Sequence, residues 1–388
     1  MSSLLSTERL APDSRSALQR VPKPLAWRSF RCQCGRAIFF ENSRCLGCGT
    51  PLGYELGAGR VIPLAHGMDA GTWAPFGQQT TSRYRRCANF EGPSGCNWLI
   101  PIGDATGKDT KFCLACTLNR TIPNLSNAEN GRLWGLIEVA KRRLVSSLLA
   151  LGLPVEPKSA ADPERGIAFD FLSPTDHHPR VITGHDNGVI TLNIEEADDA
   201  KREKIRAAMH EPYRTLLGHF RHEIGHYYWD RLVRDSEWLD DYRALFGDER
   251  ADYATALRRH YENGPPADWP QHFVTSYAST HPWEDWAETW AHYLHMVDTL
   301  DTAHSFGLEA HEVDLEIEPF TTNDLWRIDA ENGEAFLRFL NDWIRIATVV
   351  TELSRSMGQP DFYPFSLPHA AISKLHFVHS TVQRVGNL

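Results

Sequence analysis

Apolar residues recur at helical spacing in the middle of the chain. Leu133, Ile137, Ala140, Leu144, Leu148 and Leu151 predict a helix over 127–151, ended by Gly152-Leu153-Pro154. The stripe reads as core packing. The period then changes to two. Ile167–Leu172 alternates, Arg180–Thr183 is a short strand, and the turn Asp186-Asn187-Gly188 leads into Val189–Ile194. Helical spacing returns over 198–210, about 212–234, twice within 236–263, from Pro282 to Ala303, and near 322–357 and 367–384. Pro265, Pro266 and Pro270 mark a loop before Tyr277. Ahead of residue 126, a link between segments at about 25–60 and 80–125, with Gly57, Gly59, Gly67 and Gly71, reads as loop with short strands. The expected fold class is α+β: a β-rich N-terminal module, then a mainly helical domain with a small sheet.

The length of 388 residues suits two or more domains and a sizeable core. The expected division is a flexible tail at 1–24, a module at 25–125 and a domain at 126–388. The last is expected to hold its own core and to survive without the module. No apolar run is long enough to span a membrane, and the first 25 residues lack the apolar stretch of a secretory signal. A cytoplasmic location follows as the expectation.

The formal net charge of −10 hides an asymmetry. Residues 1–125 carry 15 Lys and Arg against 8 Asp and Glu, whereas the remainder carries 25 against 42. A surplus of acid in the larger part argues against nucleic acid as its partner.

All 8 cysteines fall between residues 32 and 116. Cys32-Gln33-Cys34-Gly35 is followed by Cys45-Leu46-Gly47-Cys48-Gly49. A glycine after the second cysteine allows a tight knuckle whose amides face a thiolate. The second set is Cys87, Cys96, Cys113 and Cys116, less regular but closed by a C-x-x-C pair. Each set is expected to hold a structural zinc ion and together resemble zinc ribbons, at about 25–60 and 80–125. Two such sites use every thiol and imply a reducing compartment. Each adds about −2, which lowers the positive balance of this part further. Tyr84-Arg85-Arg86 then reads as a solvated face, and the module's partner, if it has one, as a protein.

The chemistry centres on His222-Glu223-Ile224-Gly225-His226. Residues four apart share a helix face, so both imidazoles project together, and neutral imidazole suits a divalent ion such as zinc. Glu223 stands where a carboxylate can take a proton from bound water. A catalytic zinc needs a third protein ligand. Glu284 and Glu288 are four apart on the helix that starts at Pro282. One would bind metal and the other would orient a histidine through its second ring nitrogen, and spacing alone leaves open which does which. His219 shares the face of His222 and reads as a rim or core group. His177, His178 and His185 read as loop histidines without a metal role.

These two windows resemble the gluzincin metallopeptidases. Ser276-Tyr277-x-x-Thr280-x-x-x-Glu284-x-x-Ala287-Glu288 is similar to the corresponding stretch in the branch that includes anthrax lethal factor. The whole arrangement looks like bacterial metallopeptidases in which zinc ribbons precede a zincin-like domain. The resemblance implies His222, His226 and Glu284 as ligands of a catalytic zinc, Glu223 as base, Tyr277 as oxyanion donor and Glu288 as the orienting carboxylate. It implies three zinc ions, one catalytic and two structural. The implied activity is hydrolysis of a peptide or protein substrate. An extended substrate would pair with an edge strand beside the site, for which Val189–Ile194 is the candidate. The alternative is a protein-binding role, either non-catalytic or restricted to one target.

Overall fold

The computed structural model describes residues 25–78, 82–103, 110–160, 163–174, 181–208 and 213–386. The expected tail at 1–24, His177 and His178 lie outside them.

The cysteine-rich part begins with the hairpin β1 (Phe30–Arg31) and β2 (Ala37–Ile38). An antiparallel meander follows: β3 (Leu52–Glu55), β4 (Arg60–His66), β5 (Trp73–Pro75), β6 (Tyr84–Arg86) and β7 (Leu99–Pro101). The region read as a link between two ribbons therefore supplies the longest strand of one continuous sheet. Tyr84–Arg86 is not a solvated face. Tyr84 is buried, and the Arg86 guanidinium lies 4.9 Å from the Trp73 ring and 4.3 Å from that of Phe90. Alternation in β4 buries Val61, Ile62 and Leu64 on the two faces, which explains why no clean period of two marks it.

A one-turn helix α1 (Leu114–Thr117) leads to β8 (Asn119–Thr121), and the long helix α2 (Ala128–Ala150) follows, capped by Asn127. The second sheet is completed by β9 (Ala168–Leu172), β10 (Gly184–Asp186) and β11 (Val189–Asn193), in the order β10-β11-β9-β8. Two expectations change here. Val181–Thr183 is not strand; pairing begins at Gly184. Val189–Asn193 is internal, between β10 and β9, so among the described residues the edge on that side is β10. The turn at Asn187 and Gly188 has φ of 45° and 75°, the left-handed pair that closes a two-residue hairpin and folds β10 back along β11.

The helices are α3 (Asp199–Ala208), α4 (Leu216–Leu232), α5 (Leu239–Phe246), α6 (Tyr253–Asn263), α7 (Pro282–Ser305), α8 (Gly333–Ser356) and α9 (His369–Gly386). The architecture is α+β, a β-rich cysteine-bearing region followed by helices around a small sheet. Helices α4 and α7 form its centre. Gly225 allows the two helices a close approach: a Cβ there would lie 3.1 Å from Ala287 Cα and 3.2 Å from Trp290 Cβ. Trp286 Nε1 donates to the Gly225 carbonyl at 2.8 Å, which satisfies a buried donor and fixes the register of the two helices.

One apolar cluster runs from Phe30 to Val382 and so crosses both halves. Charge crosses too. Asp298 of α7 accepts from Arg28 Nε at 3.1 Å, from Arg143 Nε of α2 at 2.8 Å and from Arg221 Nη2 of α4 at 2.8 Å. Burial opposes its charge, but Arg28, Arg221 and Arg143 together hold its carboxyl well below the usual range. Three residues on, Asp301 accepts the backbone N–H groups of Leu25 and Ala26 at 3.0 and 2.8 Å.

Candidate metal centre

Helix α4 starts at Thr215, whose hydroxyl accepts from the Gly218 N–H at 3.0 Å. From there the helical pitch places His222 and His226 on one face. Helix α7 starts at His281, whose Nδ1 accepts from the Trp283 N–H at 3.1 Å, with Pro282 in the first turn. That start puts Glu284 and Glu288 against α4.

His222 Nε2 lies 3.0 Å and His226 Nε2 3.6 Å from Glu284 Oε2. One donor atom from each of the three residues falls within 4.8 Å of the others. Glu284 Oε2 is buried, yet no hydrogen bond reaches it, so the imidazole at 3.0 Å is close without being aligned as a donor. Two nitrogens and an oxygen converging in this way suit zinc. The remaining atoms are engaged elsewhere. His222 Nδ1 lies 2.7 Å from Glu288 Oε1, and Glu288 Oε2 accepts from the Thr275 hydroxyl at 2.7 Å. Glu284 Oε1 accepts from the Tyr253 hydroxyl at 2.7 Å. His226 Nδ1 is buried without a partner.

The electrostatics agree with a cation at this point. Burial disfavours charge on Glu284, but His226 and His222 outweigh it and keep the carboxyl well below its ordinary range. Burial likewise disfavours charge on His222, and Glu284 and Glu288 outweigh it, so positive charge at that ring is favoured. Glu223 is buried beside this set. Its burial raises the carboxyl pKa, with His222 and His226 pulling the other way.

Tyr277 stands on a single turn of 3-10 helix, its ring centroid 6.0 Å from that of His222. Burial, then the Glu284 carboxylate, raises its hydroxyl far above the usual phenol range, so the proton stays on. Trp283 packs on His226 with centroids 3.8 Å apart. His185 belongs to the edge strand β10 rather than to a loop. Its ring centroid is 6.3 Å from that of His226, its Nε2 accepts from the Gly188 N–H at 2.9 Å, and burial pushes it down to about 3. His219 is paired with Glu196 and stays at the rim of the set.

Sequence reasoning missed Tyr253. It is one aromatic residue in a helix of mixed composition, and nothing local to it signals a contact with Glu284, 31 positions away. A second omission is the charge beneath the cysteines. Glu138, Lys141 and Arg142 of α2 are all buried, and Lys141 Nζ donates to Glu138 Oε1 at 2.6 Å.

The eight cysteines group as expected, without disulfides. Cys32, Cys34, Cys45 and Cys48 form one set, with Cys32 and Cys48 Sγ 3.6 Å apart. Cys87, Cys96, Cys113 and Cys116 form the other, with Cys96 and Cys113 Sγ 3.6 Å apart. Gly35 and Gly49 follow their cysteines with φ of 83° and 74°, the left-handed turn a knuckle requires. The first set keeps Cys34 and Cys48 exposed; the second is wholly buried. Four sulfurs at this spacing fit tetrahedral zinc.

Residues 130–381 match the family described as "Putative zinc-binding metallo-peptidase", and residues 29–127 match a zinc-ribbon domain family. Uncharacterized proteins of Mycobacterium tuberculosis and Mycobacterium bovis are each 42% identical over 360 residues, covering 92% of this chain and 96% of the relative. No solved structure gave a significant match. Among the described residues no helix is long and apolar enough to cross a membrane. The converging histidines and carboxylate, the paired cysteine sets and these matches lead to one statement: the chain belongs to the family described as "Putative zinc-binding metallo-peptidase", with a zinc-ribbon domain ahead of the region that matches it.

Proposed function

We propose that the chain is a zinc-dependent peptidase of gluzincin type, that it hydrolyses peptide bonds, and that Glu223 is its general base. The observation that carries this reading is the convergence of His222, His226 and Glu284 beside a buried carboxylate, Glu223, that forms no ion pair among the described residues. In this reading His222 Nε2, His226 Nε2 and Glu284 Oε2 hold the metal. Zinc supplies Lewis-acid polarisation and lowers the pKa of water. Glu223, its affinity for a proton raised by burial, accepts one at its carboxylate and delivers it to the leaving amine. The Tyr277 hydroxyl donates to the oxygen on which negative charge develops. Glu288 fixes the His222 ring through Nδ1.

The substrate runs along the edge of β10, where backbone groups of Gly184–Asp186 can pair with an extended peptide. His185 on that strand sets its distance from the metal ligands. The two cysteine sets hold structural zinc, giving three ions per chain, and the module is available to a protein partner.

The test is digestion of a diverse peptide library by wild type and by Glu223→Gln at equal zinc content. Cleavage by wild type alone is the expected result. A library left intact by wild type would favour the binding or single-target alternative, and equal cleavage by both would remove Glu223 from the base role.

A further inference from the structure

We infer that Tyr253 is a positioning residue for the metal ligand Glu284, presented by a helix that serves as the outer wall of the site. The inference rests on the reading of His222, His226 and Glu284 as a zinc site. A carboxylate can grip a cation with one oxygen or with two. Glu284 Oε2 faces the two imidazoles, whereas Oε1 accepts from the Tyr253 hydroxyl at 2.7 Å. That bond ties the second oxygen and leaves Glu284 one oxygen for the metal. It also satisfies an oxygen of a side chain that is only 2% exposed.

The helix that carries Tyr253 is unusual. None of the α6 residues is buried, so α6 contributes little to the core. It lies between Gly247 and Gly264, with φ of 103° and 74°, conformations that glycine adopts without strain. Tyr253 and His260, seven positions apart, fall at helical spacing on the side toward the site. The His260 ring meets that of Tyr277 edge-on with centroids 6.0 Å apart. The hydroxyl of Tyr253 also interacts with that of Tyr277. One exposed helix thus touches both a proposed ligand and the proposed oxyanion donor. The hydroxyl of Tyr253 restrains Glu284, and through Tyr277 the same helix reaches the reacting side.

The experiment uses the full chain. Zinc affinity is measured by chelator competition for wild type, Tyr253→Phe, Tyr277→Phe and Tyr261→Phe, and the visible spectrum is recorded after cobalt(II) replaces zinc. Expected is a loss of about 10–100-fold in affinity at one site in Tyr253→Phe, as for other groups that support a metal ligand. The two cysteine-bound ions stay, which reports that the chain is folded. The cobalt spectrum changes in Tyr253→Phe and not in Tyr277→Phe. Tyr261, on the same helix and 60% exposed, is the control and leaves both readouts unchanged. Three ions in wild type with undiminished affinity in Tyr253→Phe would overturn the inference alone. An equal loss in Tyr261→Phe would assign the effect to the helix rather than to the hydroxyl, and would also overturn it. Two ions in wild type would overturn the zinc-site reading itself.

Discussion

His222 Nδ1 and Glu288 Oε1 are 2.7 Å apart, one helix face apart on α4 and α7, while the other nitrogen of the same ring faces Glu284. One imidazole is thus held between two carboxylates four residues apart, and their roles follow from which nitrogen each meets. Glu284→Gln is expected to abolish tight zinc binding at this site. Glu288→Gln is expected to weaken it by about 10–100-fold and to leave residual activity. Zinc affinity of the two variants checks this, and the reverse order would exchange the assignments.

Tyr277→Phe is expected to keep the metal and to lower kcat by roughly 10²–10³, the effect of losing one oxyanion donor. Equilibrium zinc content and steady-state kinetics separate the two effects. Wild-type kcat in this variant would leave the generic metal site and remove the lethal-factor-like role of Tyr277.

Elemental analysis of protein purified without added metal is expected to give three zinc ions. A thiol-reactive probe is expected to release metal from the first cysteine set before the second, because Cys34 and Cys48 are exposed and the second set is buried. A total near one would remove the cysteine sets as zinc sites, and release in the opposite order would contradict the burial difference.

Asp298→Asn is expected to destabilise the fold by about 3–5 kcal/mol, since it leaves buried arginines without their carboxylate. The pH dependence follows from the direction of the shift. The folded pKa of Asp298 is depressed, so its contribution is present above the unfolded value of about 3.9 and is lost as pH falls below it. Acid unfolding monitored by circular dichroism is therefore expected to flatten below about pH 4 in Asp298→Asn relative to wild type. Parallel acid transitions would show that the arginine cluster does not act through this charge.

The fragment 126–388 retains His222, Glu223, His226 and Glu284 but loses Arg28 and β8. Against the expectation from sequence that it survives alone, these losses lead us to propose that it melts well below the full chain. A soluble, active fragment would show instead that the C-terminal domain holds its own core.

The residues that converge between α4 and α7 were legible because each pair is local. His222 with His226 and Glu284 with Glu288 sit at helical spacing, and helices keep that spacing wherever they pack. The cysteine sets were legible for the same reason, since knuckle geometry is contained in a few residues. Strand order was not. Val189–Asn193 looks alike as an edge or as an internal strand, because alternation records faces and not neighbours. Asn119–Thr121 carries no β signal, yet it pairs with β9. Charges on α2 also escaped notice. Glu138 and Lys141 would face water on a surface helix, but here α2 is covered by α1, Asn119 and the loop at Pro93 and Ser94, and by α4. Tyr253 needed the full chain path to bring it to Glu284.

Arg28 and Asp298 are 270 positions apart. At a synthesis rate of about 5–20 residues per second, a nascent chain waits roughly 14–54 s between making one and making the other. All eight cysteines emerge within the first third of that interval, so the zinc ribbon can load metal while the rest is still on the ribosome. Glu284 arrives among the last groups, only 14 residues before Asp298. His222, Glu223, His226 and Glu284 and the clasp that joins the two halves are therefore completed together, with residues 299–388 still to be made. A ribosome stalled before residue 284 would display all eight cysteines on a chain that still lacks Glu284 and Asp298.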